Sequence, residues 1–304
     1  MNTEVLAGIK VLVALAQADG TIHDDERTAI ANALDGVELP DGATVEKLLS
    51  STIDLDAELA RVTSEAARKR TYEAACALVF IDGHVSKEER ELLERIAEAF
   101  GVEEGRASRF EKFTSAVPAP RVSQVTDPAE RESLIATEIA RAAEFSAVLA
   151  SSSLPIAAES CLFTNNVQLA RNTGVLYGHG HGTDEAFWRT FVGNVVGAAA
   201  SWFAVSTLLK LVPGAGAAGA YATTFALGKA TRLYFEKNEA VDADALRAAF
   251  AAAKKEGQAA AKEAKARIAT RKAEFDGKKS AVDEQLAAGK LSETAYADAL
   301  VALG

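Results

Sequence analysis

The sequence predicts an all-α protein. Alanine is abundant, proline occurs only six times in 304 residues, and apolar positions recur near every 3.6 residues in most windows. No convincing run of strand-like alternation interrupts them. With 49% hydrophobic and 25% charged residues, the chain has enough apolar surface for two domains of ordinary size, which excludes disorder throughout.

Charge is divided unevenly. Residues 1–150 carry 16 Lys/Arg against 28 Asp/Glu, and residues 151–304 carry 17 against 15, so nearly all of the net charge of -10 comes from an acidic front half. That balance argues against nucleic acid as a ligand and suits cations or a basic partner. The two cysteines, Cys76 and Cys161, stand among apolar neighbours without metal-ligand spacing. They read as buried free thiols, which fits a reducing, cytoplasmic setting.

The first helix follows from Val5, Ile9, Leu12, Val13 and Ala16, which form one stripe. Ala16-Gln17-Ala18 mimics a signal-peptide cleavage site, but Glu4 and Lys10 break the basic-then-apolar order of a leader. This helix runs into "ADGTIHDDER" at 18–27, which returns as "IDGHVSKEER" at 81–90. The second copy also follows an amphipathic stretch, Tyr72, Ala75, Cys76, Val79 and Phe80, and precedes another with Leu92, Leu93, Ile96 and Phe100 on its buried side. Each repeat is therefore a helix-turn-helix corner.

Two readings of the corners stand side by side. In the architectural one, Gly20 and Gly83 end a helix, Ile22 and Val85 plug the corner, and Ser86 with Glu89 forms a capping box; in the first copy His23 replaces Ser86. In the functional one, Asp19, Asp24, Asp25 and Glu26 with Asp82, Glu88 and Glu89 exceed what capping needs. Their oxygens then meet around a hard divalent cation, Ca²⁺, Mg²⁺ or Mn²⁺. The spacing does not match the EF-hand loop. The pattern Asp-Gly-x-(Ile/Val)-x-x-x-Glu, present at 19–26 and 82–89, resembles the TerB-like tellurite-resistance domain over about residues 1–115. The resemblance implies a compact helical domain with an acidic, metal-binding surface. Residue matching carries that role to Asp19, Glu26, Asp82 and Glu89, with Asp25 and Glu88 as further candidates.

Residues 116–157 are expected to be a linker and a connecting helix. "SAVPAPRVSQVTDPAE" gathers three of the six prolines, and Leu134, Ile135, Ile139, Ala142, Phe145 and Leu149 then fall in helical register. Beyond the "SSSLP" break, no charge occurs between Arg189 and Lys210 or between Lys210 and Lys229, and "VPGAG" at 212–216 supplies a turn. The result is an apolar helical hairpin, either a buried core pair or a membrane or partner element. Trp188, Gly193, Gly197, Trp202, Pro213 and Gly214 are its candidate contact residues. "QLARNTGVLYGHG" followed by "KLVPGAGAAGAYATTFALGKATRLYFEKN" resembles the YcjF-like domain of unknown function over about residues 158–238. That family is often fused to GTPase domains or associated with membranes, so the resemblance implies an anionic membrane surface, a membrane protein, or a GTPase-type or other protein as partner.

Other motifs carry less. Gly214-x-Gly216-x-x-Gly219 lacks the strand a dinucleotide fingerprint requires, and Gly228-Lys229 lacks the upstream glycine and following Ser/Thr of a P-loop, so no nucleotide is expected. His179 and His181 form a weak candidate for a metal or pH-responsive site, since a Gly-rich connection capped by Thr183 explains them as well. No nucleophile elbow is present, and the chain is read as not an enzyme.

Residues 241–281 read as a basic Ala/Lys-rich helix, with a solvated face, anionic lipid and the acidic front domain as its three candidate settings. Residues 282–304 read as helix, Gly289 break, Ser292 cap and helix, with a faint resemblance to the SHOCT oligomerisation module that makes a homo-oligomer an expectation. The domains expected are thus 1–115, 116–157, 158–240, 241–281 and 282–304. The function expected is that of a non-enzymatic stress-response scaffold, cytoplasmic or peripheral at the inner face of the cell membrane. A membrane-inserting effector and a purely structural interaction module are the alternatives.

Overall fold

The computed structural model describes residues 3–18, 34, 44–80, 86–102, 120–152, 154, 158–179, 216–237, 241 and 243–304, with the side chains of 77, 80, 158–160, 243, 244, 247, 293 and 294 excepted. The described residues are helical without a strand, as the sequence predicts, and fall into two compact units.

The first unit contains α1 (Thr3–Ala16), α2 (Val45–Ser50), α3 (Leu55–Arg61), α4 (Glu65–Phe80) and α5 (Lys87–Phe100). The predicted stripe of α1, Val5, Ile9, Leu12, Val13 and Ala16, is buried, and α1 packs against α3, α4 and α5. Tyr72, Ala75, Cys76 and Val79 of α4 are buried, as are Leu93, Ile96 and Phe100 of α5, while Leu92 is half-buried. Burial of each large aliphatic or aromatic side chain contributes about 1.5–3 kcal/mol.

The short helices start on their own caps. Thr44 Oγ1 accepts from Lys47 N at 3.2 Å to start α2, and Asp54 Oδ1 accepts from Ala57 N at 3.1 Å to start α3. Glu58 ties α3 to α1, its Oε1 accepting from Lys10 Nζ at 2.7 Å and from Arg61 Nη1 at 3.1 Å. α5 ends on Gly101, whose φ of 64° is the left-handed conformation that glycine adopts at least cost.

The second unit contains α6 (Pro128–Ser151), α7 (Ala158–Leu176), α8 (Gly216–Glu236), α9 (Ala243–Glu263), α10 (Lys265–Ala287) and α11 (Glu293–Ala302). α6 begins with Asp127 as N-cap and Pro128 in the first turn. α8 is the hub, packing against α6, α7 and α9. α6, expected as a connecting helix, is a core member of this bundle, with Ile135, Ile139, Ala142, Phe145 and Leu149 buried. Leu134, in the same helical register, sits 37% exposed, one residue and so about 100° around the helix from Ile135.

The basic segment 241–281 divides at Ala264 into α9 and α10, with helical hydrogen bonds continuing into and out of that residue. α10 has Phe275 as its buried residue, edge-on to Phe145 with ring centroids 5.5 Å apart. Gly289 at φ 68° and Ser292, whose Oγ accepts from Ala295 N, make the expected break and cap before α11.

Candidate functional site

The candidate cation residues follow α1 and α4 in sequence, and the described part of that unit is organised from the opposite ends of the two helices. Glu4, in the first turn of α1, reaches the start of α4: its Oε1 accepts from Thr63 N at 2.8 Å, Thr63 Oγ1 at 2.6 Å and Ser64 N at 2.7 Å, and its Oε2 from Ser64 Oγ at 3.0 Å. Four donors on one carboxylate favour its charged form, so the Thr63 hydroxyl first and then the Ser64 and Thr63 amides bring Glu4 from the ordinary 4.5 down to about 2. The anchor has a topological consequence. α1 and α4 begin side by side and pack together, so both run from the anchored end towards the end where the two repeats follow in sequence.

Of the residues expected to hold the cation, Glu88 and Glu89 are described. Glu89 completes the predicted capping box: its Oε2 accepts from Ser86 N at 2.8 Å while Ser86 Oγ accepts from Glu89 N at 3.1 Å. One carboxylate oxygen of Glu89 is thus occupied by the corner itself. Glu88 is an exposed first-turn residue. Asp19, Asp25, Glu26 and Asp82 lie outside the described residues, and among those described no group of three or more His, Cys, Asp or Glu is placed to hold a metal.

His179 follows α7, where its ring packs on Phe235 with centroids 5.1 Å apart and its backbone N–H donates to Gly174 O. His181, Trp188, Gly193, Gly197, Trp202, Pro213 and Gly214 lie outside the described residues. The described part of the segment expected to form the hairpin is α8, whose buried residues include Thr223, Thr224 and Thr231. Among the described residues no helix is long and apolar enough to cross a membrane. Cys76 and Cys161 are buried free thiols, as expected.

Sequence reasoning missed the polar interior of the second unit. α7 buries Asn165, Asn166, Gln168, Asn172 and Thr173. Asn165 Nδ2 donates to Ala142 O and to Ser146 Oγ, both at 2.9 Å. The Thr224 hydroxyl lies 2.7 Å from Ser146 Oγ and 2.8 Å from Asn166 Oδ1. A carbonyl oxygen only accepts, so the single Thr224 proton goes to Asn166 and the Ser146 hydroxyl turns to Thr224. The chain joins α6, α7 and α8. Asn172 Nδ2 donates to Glu138 Oε2 at 2.9 Å, and Arg141 pairs with the same carboxylate at 3.3 Å.

A second clamp holds α10. Glu144 of α6, 6% exposed, accepts from Arg267 Nε at 2.7 Å and forms an ion pair with Arg271, one turn on, at 3.1 Å. The hydrogen bond from Arg267 to this carboxylate pushes the guanidinium further towards its charged form. The basic residues at 267 and 271 were visible in the sequence, but their acid partner is more than a hundred positions away.

A helical unit in which a carboxylate anchors two helices, each followed in sequence by an Asp-Gly repeat, is the class these observations define. Residues 5–112 match the family model described as Tellurite resistance protein TerB, in keeping with the resemblance carried by the repeats. The YcjF-like and SHOCT-like resemblances gain no support from that match. No curated protein and no solved structure matches the chain.

Proposed function

We propose that this chain is a non-enzymatic scaffold of a tellurite-resistance-type stress response, in which the acidic N-terminal unit binds a divalent cation and the second unit presents a helical surface to a partner. The match of residues 5–112 to the TerB model, over a segment holding both Asp-Gly repeats, carries the reading. The Glu4 anchor supports it, because it makes α1 and α4 start together and sends both towards their repeats. Asp19, Glu26, Asp82 and Glu89 are the ligands, assisted by Asp25 and Glu88, and the cation is Ca²⁺, Mg²⁺ or Mn²⁺. Binding offsets the repulsion of the acids and locks the corners together, and a cytoplasmic setting at the inner face of the membrane suits the buried thiols and an anionic surface or membrane protein as partner.

Calorimetric titration of the full chain with each cation tests this, beside a variant carrying Asp19→Asn and Asp82→Asn. Saturable binding, lost in the variant and accompanied by a raised melting temperature in the parent, is the expected result. The Ser86–Glu89 capping box favours a second reading, in which the corners are architecture alone. Absence of heat and an unchanged melting temperature with every cation would establish it.

A further inference from the structure

The α4–α5 pair holds a cleft at the end where α4 begins and α5 finishes. Its volume is ≈ 510 Å³, and it lies between the start of α4 and the end of α5, lined by Thr63, Glu65, Arg68, Lys69, Tyr72 and Phe100 among others. Glu65, Arg68, Lys69 and Tyr72 are spaced i, i+3, i+4 and i+7, so one face of α4 makes one wall. Tyr72 and Phe100 are buried and form an apolar floor, with 3% and 8% of their surfaces exposed.

Its charge is out of character with its surroundings. Acids outnumber bases in this half of the chain, and Lys10, Arg61, Lys87 and Arg95 each pair with a carboxylate. Arg68 and Lys69 pair with no carboxylate among the described residues. Arg68 is nevertheless held, because its Nε donates to Val62 O at 2.9 Å. That bond fixes the guanidinium plane and leaves the two terminal nitrogens as a fork.

We propose that this cleft binds a small oxyanion carried on a flat apolar group, of the aryl phosphate or aryl carboxylate class. The Arg68 fork and Lys69 take the anionic head, and the ring lies against Tyr72 and Phe100. Glu65 repels negative charge from its own end of the cleft and so orients the head towards Arg68. The volume is in the range of small-molecule sites. This site is independent of the cation reading, since it uses neither repeat.

The test is calorimetric titration of the full chain with phenyl phosphate and, separately, with inorganic phosphate. Saturable binding of phenyl phosphate, about tenfold tighter than that of inorganic phosphate, is expected, as is a loss of about tenfold or more in Lys69→Gln and in Arg68→Gln. Arg68→Lys keeps the charge without the fork and should recover only part of the affinity. Asp19→Asn with Asp82→Asn should leave phenyl phosphate binding unchanged even if cation binding is lost. The proposal is overturned if phenyl phosphate shows no saturable heat, if the two anions bind alike, or if Lys69→Gln and Arg68→Gln retain parental affinity while melting at the parental temperature.

Discussion

Gly257 and Gly277 are two helical glycines for which one substitution has opposite consequences. A Cβ added at Gly257 of α9 would stand 2.9 Å from both Cα and O of Ala222 on α8, whereas one added at Gly277 of α10 would meet nothing within 4 Å. Glycine to alanine inside a helix gains about 1 kcal/mol at either position. At Gly257 that gain opposes an overpacking cost of about 1–3 kcal/mol, because the obstructing atoms are backbone and cannot rotate away. Gly277→Ala should therefore stabilise by about 1 kcal/mol, while Gly257→Ala should fall between neutral and about 2 kcal/mol destabilised. The helix-propensity gain is common to both, so the difference isolates the α8–α9 contact. Thermal unfolding reads it as a gap of roughly 2–12 °C between the variants, at about 2–4 °C per kcal/mol for a unit of this size. Gly219→Ala on α8, also open within 4 Å, is a second control. Equal melting of Gly257→Ala and Gly277→Ala would refute the close approach.

Three further outcomes follow from the clamps and caps. Glu4 holds its proton less tightly in the folded unit than in the unfolded chain, so its contribution is complete above about pH 4.5 and is lost as the pH falls towards 2. Acid titration of Glu4→Gln by circular dichroism should therefore show a shallower loss of stability across that window than the parent. At Glu144, Arg267→Gln with Arg271→Gln should destabilise more than Glu144→Gln, because the carboxylate is 7% exposed and the arginines 61% and 38%. Removing the bases strands a buried charge, while removing the acid leaves two solvated ones; urea unfolding of both variants measures the order. Ser86→Ala should cost about 0.5–2 kcal/mol through loss of the α5 cap, with increased amide exchange in the first turn of α5 as its local sign.

Local features were legible because their causes are local. The Ser86–Glu89 box, the Gly289 break and Ser292 cap, and the stripes of α1 and α4 each depend on residues within one or two turns. The Glu4 anchor joins positions 59 and 60 apart, and the Glu144–Arg267 pair joins positions 123 apart, so no window of the sequence contains either. The polar interior of α7 went unread for another reason. Asn165 and Asn172 lie seven positions apart on one helix face, yet both are fully buried because α6 supplies a hydroxyl partner to one and a carboxylate partner to the other. The candidate cation site was legible as a repeat, and of the residues expected there the described Glu88 and Glu89 show a cap with an exposed neighbour.

The hydroxyl chain across α6, α7 and α8 has a consequence for alignment of the helices. Apolar side chains tolerate sliding, since one methyl replaces another with little loss of contact. Asn165 and Asn166 do not. A slip of α7 by one turn would bring Leu169 or Cys161 opposite Ser146, and Ala170 or Leu162 opposite Thr224. The Thr224 proton would then lose its acceptor and Ser146 Oγ its amide donor, and the buried unmade donor costs about 1–3 kcal/mol. Two asparagines thus index α7 against its neighbours as the teeth of a key do, and select one register among several that the apolar residues alone would permit.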